Sequence, residues 1–348
     1  MLHGLQILRA VAAYGVVAFH VFEFLNATPG FGLSRFEIGK VGVDLFFVIS
    51  GFIMVHTTAR SEKPGHFIIK RAARIIPLYW AATALAILAT LSTPWLFPHA
   101  DLSPASMLKS FAFIPAPDLS GEFQPILFVG WTLNFEMMFY GLFALSLFLP
   151  AHYRIRALVA ALVAVFILGR LSGADTSAAF YGQPIMLDFG IGCLIARAVS
   201  FPRITQMVTR APLWPIAATV LAGLVTVNAA GLSQDAAALL NGLLSGLLIF
   251  AVAAHDLHRK PAHSPLLTSL GDTSYSAYLL HPFLIPVCGV ICVKLFGTTL
   301  FSAGLMLAAC FIGTAMIASL SYYTYERPSN RLLRRFLLPR RIPPNAAQ

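Results

Sequence analysis

The first hydrophobic segment of the chain contains a histidine and an arginine. Both Arg9 and His20 fall between Leu5 and about Leu25, in LQILRAVAAYGVVAFHVFEFL. On a helix, the eleven-residue spacing places the two side chains on nearly one face, about 16 Å apart. An ionisable residue inside a membrane-spanning helix is costly and suggests a function. The alternative is that Arg9 extends to the membrane surface and His20 is a packed core residue.

Three carboxylates, Asp44, Glu136 and Asp188, also fall inside apolar segments. A histidine and carboxylates at similar depth can form a general base with an orienting acid. A structural pairing role is the alternative for each carboxylate. The four cysteines all lie in apolar segments, and their spacing predicts neither a disulfide framework nor a metal site.

A basic cluster, Lys70, Arg71 and Arg74, opens the third apolar segment in FIIKRAARIIPLYW. Arg71 and Arg74 are i,i+3 neighbours on one helix face. Guanidinium groups match phosphate oxygens, so this pair can hold the phosphates of a nucleotide-like cofactor. From charge alone, an anchor for anionic lipid headgroups explains the cluster better.

A further polar segment, LGDTSYSAYLLHPF, begins the ninth apolar span. Asp272, Thr273 and Ser274 provide helix-capping side chains. Tyr275, Tyr278 and His281 follow as a polar stripe at i, i+3 and i+6. His281 precedes a proline, so a position beside a helix kink is an alternative to a substrate contact.

These residues must be positioned by membrane helices. The 348 residues are 58% hydrophobic and 11% charged, which is far below the charge of a soluble domain. The predicted fold class is an all-α integral membrane protein, a bundle of about ten transmembrane helices. The predicted spans are 5–25, 41–59, 76–97, 126–149, 155–172, 184–200, 212–231, 236–254, 275–295 and 299–323. The glycines of GVDLFFVISGF and FGIGC predict close helix approaches.

The charge distribution predicts the orientation of this bundle. Most of the 24 Lys and Arg residues fall in the loops after the even-numbered spans and in the C-terminal tail, so both termini are expected to be cytoplasmic. Because the net charge of +10 resides in these loops, nucleic acid is not an expected partner. We expect a membrane domain over 1–335 and a short basic cytoplasmic tail over 336–348. The Pro-rich loop 98–125 is typical of a lid or binding element.

Together, these segments resemble the acyltransferase-3 family of bacterial membrane O-acyltransferases, in particular its exopolysaccharide-production branch. The resemblance covers essentially the whole chain. Its markers are Arg9 with His20, KVGVDLFFVISGFIM, IKRAARIIPLYW, VGWTLNFEMMFYGLFAL, LGDTSYSAYLLHPF and the terminal YERP.

The resemblance implies about ten transmembrane helices in the bacterial inner membrane. It also implies transfer of an acyl group, usually acetyl from cytoplasmic acetyl-CoA, to a sugar hydroxyl of an exopolysaccharide, another surface glycan or its lipid-linked precursor. His20 would be the general base and Arg9 its companion. Arg71 and Arg74 would lie near the CoA phosphates, and Glu136 in the acceptor or catalytic pocket. The implied partners are acyl-CoA, the glycan, membrane lipids and a polysaccharide-synthesis complex, and no metal is implied.

The resulting hypothesis is direct transfer at His20. The CoA phosphates would bind Lys70, Arg71 and Arg74, with the pantetheine arm passing Arg9 and His281. Direct transfer and an acyl-enzyme step are both compatible with the sequence.

Within this hypothesis, Glu136 or Asp44 would hold the imidazole of His20 in its productive tautomer. Ser50 is a conceivable nucleophile, although no base is evident beside it in the sequence.

Two other function classes compete with the enzyme. A proton-coupled glycolipid or solute transporter would also carry a histidine, carboxylates and an arginine in its spans. Against a transporter, the sequence has no inverted repeat and no matching pair of broken helices. A scaffold subunit of a polysaccharide-synthesis complex would leave the buried ionisable residues unexplained.

Overall fold

A computed structural model describes residues 2–34, 36–58, 62–173, 176–258 and 264–338. Within these ranges the structure is helical, with an isolated antiparallel bridge between Pro117 and Phe123 and no strand. The first helices are α1 His3–Ala27, α2 Val41–Thr58, α3 Pro64–Ser92, α4 Pro104–Phe111, α5 Trp131–Ser146, α6 Ala151–Leu171, α7 Ser177–Tyr181 and α8 Met186–Ala198. The others are α9 Pro202–Arg210, α10 Leu213–Ala229, α11 Gln234–His258, α12 Pro265–Asp272, α13 Ser274–Phe296, α14 Leu300–Ser321 and α15 Arg327–Leu337.

Among the described residues, eight helical stretches are long and apolar enough to cross a membrane. They are His3–Ala27, Glu37–Thr58, Pro64–Ser92, Phe128–Ser146, Ser177–Ala198, Gln234–His258, Ser274–Phe296 and Leu300–Leu337. The number rises to nine if α9 and α10, which meet at 89°, form one broken span. The predicted all-helical class is therefore confirmed for the described ranges. Each predicted span overlaps a helix, although the fifth, α6, is not among the eight, and the seventh, α10, is counted only with the broken span. The count of ten and the cytoplasmic termini stay predictions.

The third helix differs from its predicted span. It begins at Pro64 rather than at residue 76, so the basic cluster lies inside α3 and not at its start. A proline at the first helical position needs no N–H partner and is compatible with this start. Hydropathy detects only the apolar part of a helix, whereas the backbone hydrogen bonds continue through the polar turns before it.

Helix α1 occupies the centre of the bundle. It packs against α2, α11, α12, α13 and α14. Small and branched side chains on α1, including Ala12, Ala13 and Val16, are fully or almost fully buried. A polar residue on this helix is therefore placed inside the protein by its neighbours on several sides. Arg9 and His20 are such residues.

Helices α2 and α8 cross at close range through glycines. A side chain at Gly51 would collide with the backbone of Phe189, and one at Gly192 would collide with the backbone of Val48. The predicted close approach of GVDLFFVISGF and FGIGC is confirmed by these contacts. Because glycine has no side chain, the two backbones pack directly against each other, which is how membrane helices commonly associate.

The helical structure continues beyond α14 through a π-turn, Tyr322–Glu326, into α15. The amphipathic helix α15 crosses the predicted boundary between 335 and 336 and packs against α3. Residues 339–348, most of the predicted basic tail, lie outside the described residues. The two-part domain prediction is therefore not tested by the structure.

Candidate active site

His20 forms a pair with a carboxylate on its own helix. Its Nδ1 lies 2.8 Å from Oε2 of Glu23, which is one turn further along α1. When Nδ1 carries the proton and donates it to Glu23, Nε2 keeps the lone pair that a general base needs. The His20 side chain is 19% exposed and the Glu23 side chain 55% exposed, so the pair is accessible to a substrate.

Aromatic rings fix the His20 imidazole. The ring of His281 stacks on it with the centroids 5.2 Å apart and an interplanar angle of 25°. Phe128 makes an edge contact at the same centroid distance. His281 is fully buried, and its Nδ1 lies 3.2 Å from the carbonyl oxygen of Ala277. The structure therefore stacks His281 against the ring of His20, whereas the sequence hypothesis put His281 beside the pantetheine arm.

A cavity of about 880 Å³ opens beside His20, and we call it the histidine cavity. Its wall combines aromatic rings with amide, carboxylate and ammonium groups. It includes Phe19, His20, Glu23, Glu37, Lys40, Asp44, Phe97, His99, Asp118, Gln124, Trp131, Gln183, Asn228 and Asn241. Rings that can stack on a sugar and groups that can bind hydroxyls are thus present together. The long loop predicted as a binding element contributes His99, Asp118 and Gln124.

Asp44 lines the histidine cavity, but the polar partner of His20 in the structure is Glu23. Its buried carboxyl group interacts with that of Asp188, which is also buried, on α8. Asp44 is therefore built into a carboxyl pair between α2 and α8. Glu23 takes the position beside His20 that the sequence hypothesis assigned to Asp44 or Glu136.

A second cavity, of about 550 Å³, lies at the other end of α1, and we call it the arginine cavity. Arg9, Arg71 and Arg74 line it together. Arg9 donates from Nη1 to Oε1 of Gln6 at 3.0 Å. The sequence hypothesis made Arg9 the companion of His20. In the structure Arg9 joins the basic pair of α3, and the helical rise from Arg9 to His20 separates the two cavities.

The buried guanidinium of Arg71 has an unused donor. Its Nε is buried and has no hydrogen-bond partner among the residues that the structure describes, and its Cζ lies 5.5 Å from the ring centroid of Phe67. A buried unpaired donor is unfavourable unless an acceptor binds it. The cavity therefore fits an anionic group such as a phosphate. Lys70 does not line the cavity; its ammonium pairs with Glu62, so the structure separates it from Arg71 and Arg74.

Glu136 also belongs to the arginine cavity. It accepts hydrogen bonds from the hydroxyl of Tyr140 and, at 3.3 Å, from Oγ of Ser50. No base is evident beside Ser50 in the sequence, because Glu136 is 86 residues away along the chain. Glu326, at the end of the π-turn, is buried and accepts from Oγ of Ser276 at 2.6 Å. Both carboxylates help to balance the three guanidinium groups.

The residue that sequence reasoning missed is Glu23. Its spacing of three residues from His20 on one helix is the signal that could have identified it. Glu23 lies near the end of a hydrophobic segment, where a charged residue is ordinary, so hydropathy does not mark it as a candidate. The described residues contain no group of three or more His, Cys, Asp and Glu side chains that could hold a metal ion.

Comparison with known proteins bears on this arrangement. Residues 2–323 match the family of the acyltransferase domain known as acyltransferase-3. The chain belongs to this family. An exopolysaccharide production protein, ExoZ, of Rhizobium meliloti is 38% identical over 86% of this chain and 92% of its own length. The acyltransferase MdmB of Streptomyces mycarofaciens is 26% identical over 94% of this chain and 91% of its own.

A third relative shares only part of its length with this chain. The peptidoglycan O-acetyltransferase OatA of Listeria monocytogenes is 24% identical over 92% of this chain but 54% of its own length. No solved structure matches the chain. The family membership establishes an acyltransferase, and the apolar helices place it among membrane proteins.

Proposed function

We propose that this acyltransferase moves an acetyl or other short acyl group from acyl-CoA to a sugar hydroxyl of an exopolysaccharide or its lipid-linked precursor. The observation that carries the proposal is the pair of cavities along α1, one with three guanidinium groups and one with the His20–Glu23 pair. The names of the relatives, which include exopolysaccharide production and peptidoglycan O-acetylation, support the acceptor class.

The donor binds in the arginine cavity. Arg9, Arg71 and Arg74 hold the phosphates of CoA, and the free Nε of Arg71 supplies one of the hydrogen bonds. The pantetheine arm then runs along α1 toward His20, over the rise of about 16 Å between Arg9 and His20. In the orientation predicted from the charges, this cavity faces the cytoplasm and the histidine cavity faces outward.

The acceptor sugar binds in the histidine cavity. Nε2 of His20 takes the proton from its hydroxyl group while the oxygen attacks the thioester carbonyl carbon. The carbon–sulfur bond breaks, the ester is formed, and the CoA thiolate leaves and receives the proton that His20 took from the hydroxyl group. Glu23 holds the Nδ1 proton of His20 and stabilises the imidazolium that forms. A positioned general base contributes about 10²–10⁴-fold to such a reaction.

The test uses membrane vesicles that contain the wild type or His20→Ala and a lipid-linked glycan acceptor. Label from acetyl-labelled acetyl-CoA is followed into the glycan, and CoA binding is measured on the same vesicles. His20→Ala should lower transfer by about 10²–10⁴-fold while CoA binding stays at the wild-type level. Wild-type transfer retained in the variant would remove His20 from the role of base. A wild type that neither binds CoA nor transfers acetyl would refute the proposed function.

A further inference from the structure

The two cavities share two wall residues, Val43 and Tyr278, which we call the partition. Among the described residues, Val43 of α2 and Tyr278 of α13 line both the arginine cavity and the histidine cavity. Both are tightly packed, with 9% of Val43 and 7% of Tyr278 exposed. The partition combines a small branched side chain with an aromatic ring. The linings of the two cavities adjoin at these two residues.

Tyr278 is held in place at its hydroxyl end. The hydroxyl donates to the carbonyl oxygen of Val129 at 2.9 Å and lies 2.9 Å from Oγ1 of Thr132. Thr132 in turn lies 3.1 Å from the same carbonyl. These bonds tie the ring to the start of α5. A ring fixed in this way forms a wall of defined position rather than a side chain that turns freely.

The partition is also close to the His20 imidazole. The ring of Tyr278 lies 5.9 Å from the ring of His281, which stacks on His20. On the side of the arginine cavity, Phe46 contacts Tyr278 at a centroid distance of 6.1 Å. The partition therefore has an aromatic neighbour, Phe46, on the side of the arginine cavity. His281 is the layer of side chain between Tyr278 and the imidazole of His20.

We propose that the partition is the binding site of the acyl group and that Val43 and Tyr278 limit its length. The inference rests on the proposed function, since it needs a donor in the arginine cavity and a base in the histidine cavity. The thioester carbonyl must lie where an oxygen activated at His20 can reach it, which is at the partition. The alkyl part of the acyl group then contacts Val43 and Tyr278, and an apolar wall of fixed position distinguishes chains by single methylene groups.

Val43→Ala tests the limit by removing two methyl groups from the wall. The measurement is kcat/KM for acetyl-CoA, propionyl-CoA and butyryl-CoA with the same acceptor, in vesicles. We expect the ratio of butyryl to acetyl transfer to rise at least about 10-fold, because one methylene in an apolar pocket is distinguished by about 10–200-fold. Val43→Ile, which adds a methylene, should lower the propionyl to acetyl ratio and provides a second variant if Val43→Ala does not fold.

Val48→Ala is the matched control. Val48 lies on the same helix and is fully buried, but it lines neither cavity. It should leave the acyl-length ratio at the wild-type value while testing the general effect of a buried valine truncation on α2. Elution of each detergent-extracted variant at the wild-type position shows that it is folded.

The outcomes separate the two proposals. A wild type that transfers acetyl, together with Val43 variants whose ratios equal those of the wild type and of Val48→Ala, would overturn the partition site and leave the proposed function intact. A wild type that uses the three donors equally well would also overturn it. If the wild type transfers none of the three and binds no CoA, the proposed function fails and the partition site fails with it.

Discussion

Replacing Glu23 by Gln tests the pairing of His20 with a carboxylate. The carboxylate oxygen lies 2.8 Å from Nδ1 of His20, and the amide oxygen of Gln can still accept that proton. The substitution keeps the size of the side chain and removes its negative charge. The imidazolium formed during proton transfer then loses its electrostatic partner, so kcat should fall.

The expected size of the effect follows from exposure. The Glu23 side chain is 55% exposed, so water screens the pair. Exposed ion pairs contribute about 0.2–1 kcal/mol. At 1.36 kcal/mol per factor of ten in rate, this corresponds to a loss of up to about 5-fold. The loss should therefore be much smaller than that of His20→Ala, which removes the base itself.

The assay is a double-mutant cycle on acetyl transfer in vesicles, with the wild type, Glu23→Gln, His20→Ala and the double variant. Because Glu23 acts through His20, Glu23→Gln should lower the rate in the wild-type background and leave the residual rate of His20→Ala unchanged. Glu122→Gln serves as the control. Glu122 is an exposed carboxylate of the long loop, and it lines neither cavity itself. Equal losses in both backgrounds, or a loss above about 100-fold for Glu23→Gln alone, would refute this reasoning.

Two further predictions concern the donor site and the helix crossing. Arg71→Ala should raise the KM for acetyl-CoA by about 10- to 150-fold, since a charge-assisted hydrogen bond contributes about 1.5–3 kcal/mol, and kcat should change less. Lys70→Ala should raise KM far less because Lys70 does not line the cavity, and an equal rise in steady-state kinetics would contradict the assignment. Gly51→Ala should destabilise the protein by about 1–3 kcal/mol, because the new methyl group meets the backbone of Phe189. Gly141→Ala, where the methyl group meets open space, is the control, and equal unfolding midpoints in detergent would contradict the expected strain.

Part of the arginine cavity could be predicted from short-range sequence patterns. Arg71 and Arg74 share a helix face because they are three residues apart, and the structure keeps them together in one cavity. Lys70, the residue before Arg71, points elsewhere and pairs with Glu62. On a helix, adjacent residues diverge by about 100°, so a run of basic residues does not by itself form one site.

The pairing of the ionisable groups could not be read from the sequence. Arg9 and His20 share a face of α1, which suggested a common site. Their separation along the helix instead places them in different cavities, with Val43 and Tyr278 between. Glu136 lies beside Ser50 because the tertiary structure brings these side chains of α2 and α5 together, and neither depth in the membrane nor distance along the chain indicates that neighbour.

By itself, the sequence determined that the chain is a bundle of membrane helices. It also determined which glycine-containing segments allow a close approach of two helices and which residues are chemically unusual. These properties depend on the apolar length of each segment, on the absence of a side chain, and on the cost of an ionisable group in an apolar span. Only the tertiary structure decided that Glu136 lies beside Ser50, where His281 stacks and where the two cavities adjoin. Those contacts join residues of α1, α2, α5 and α13, and the rotation and depth of each helix against its neighbours depend on the packing of the whole bundle.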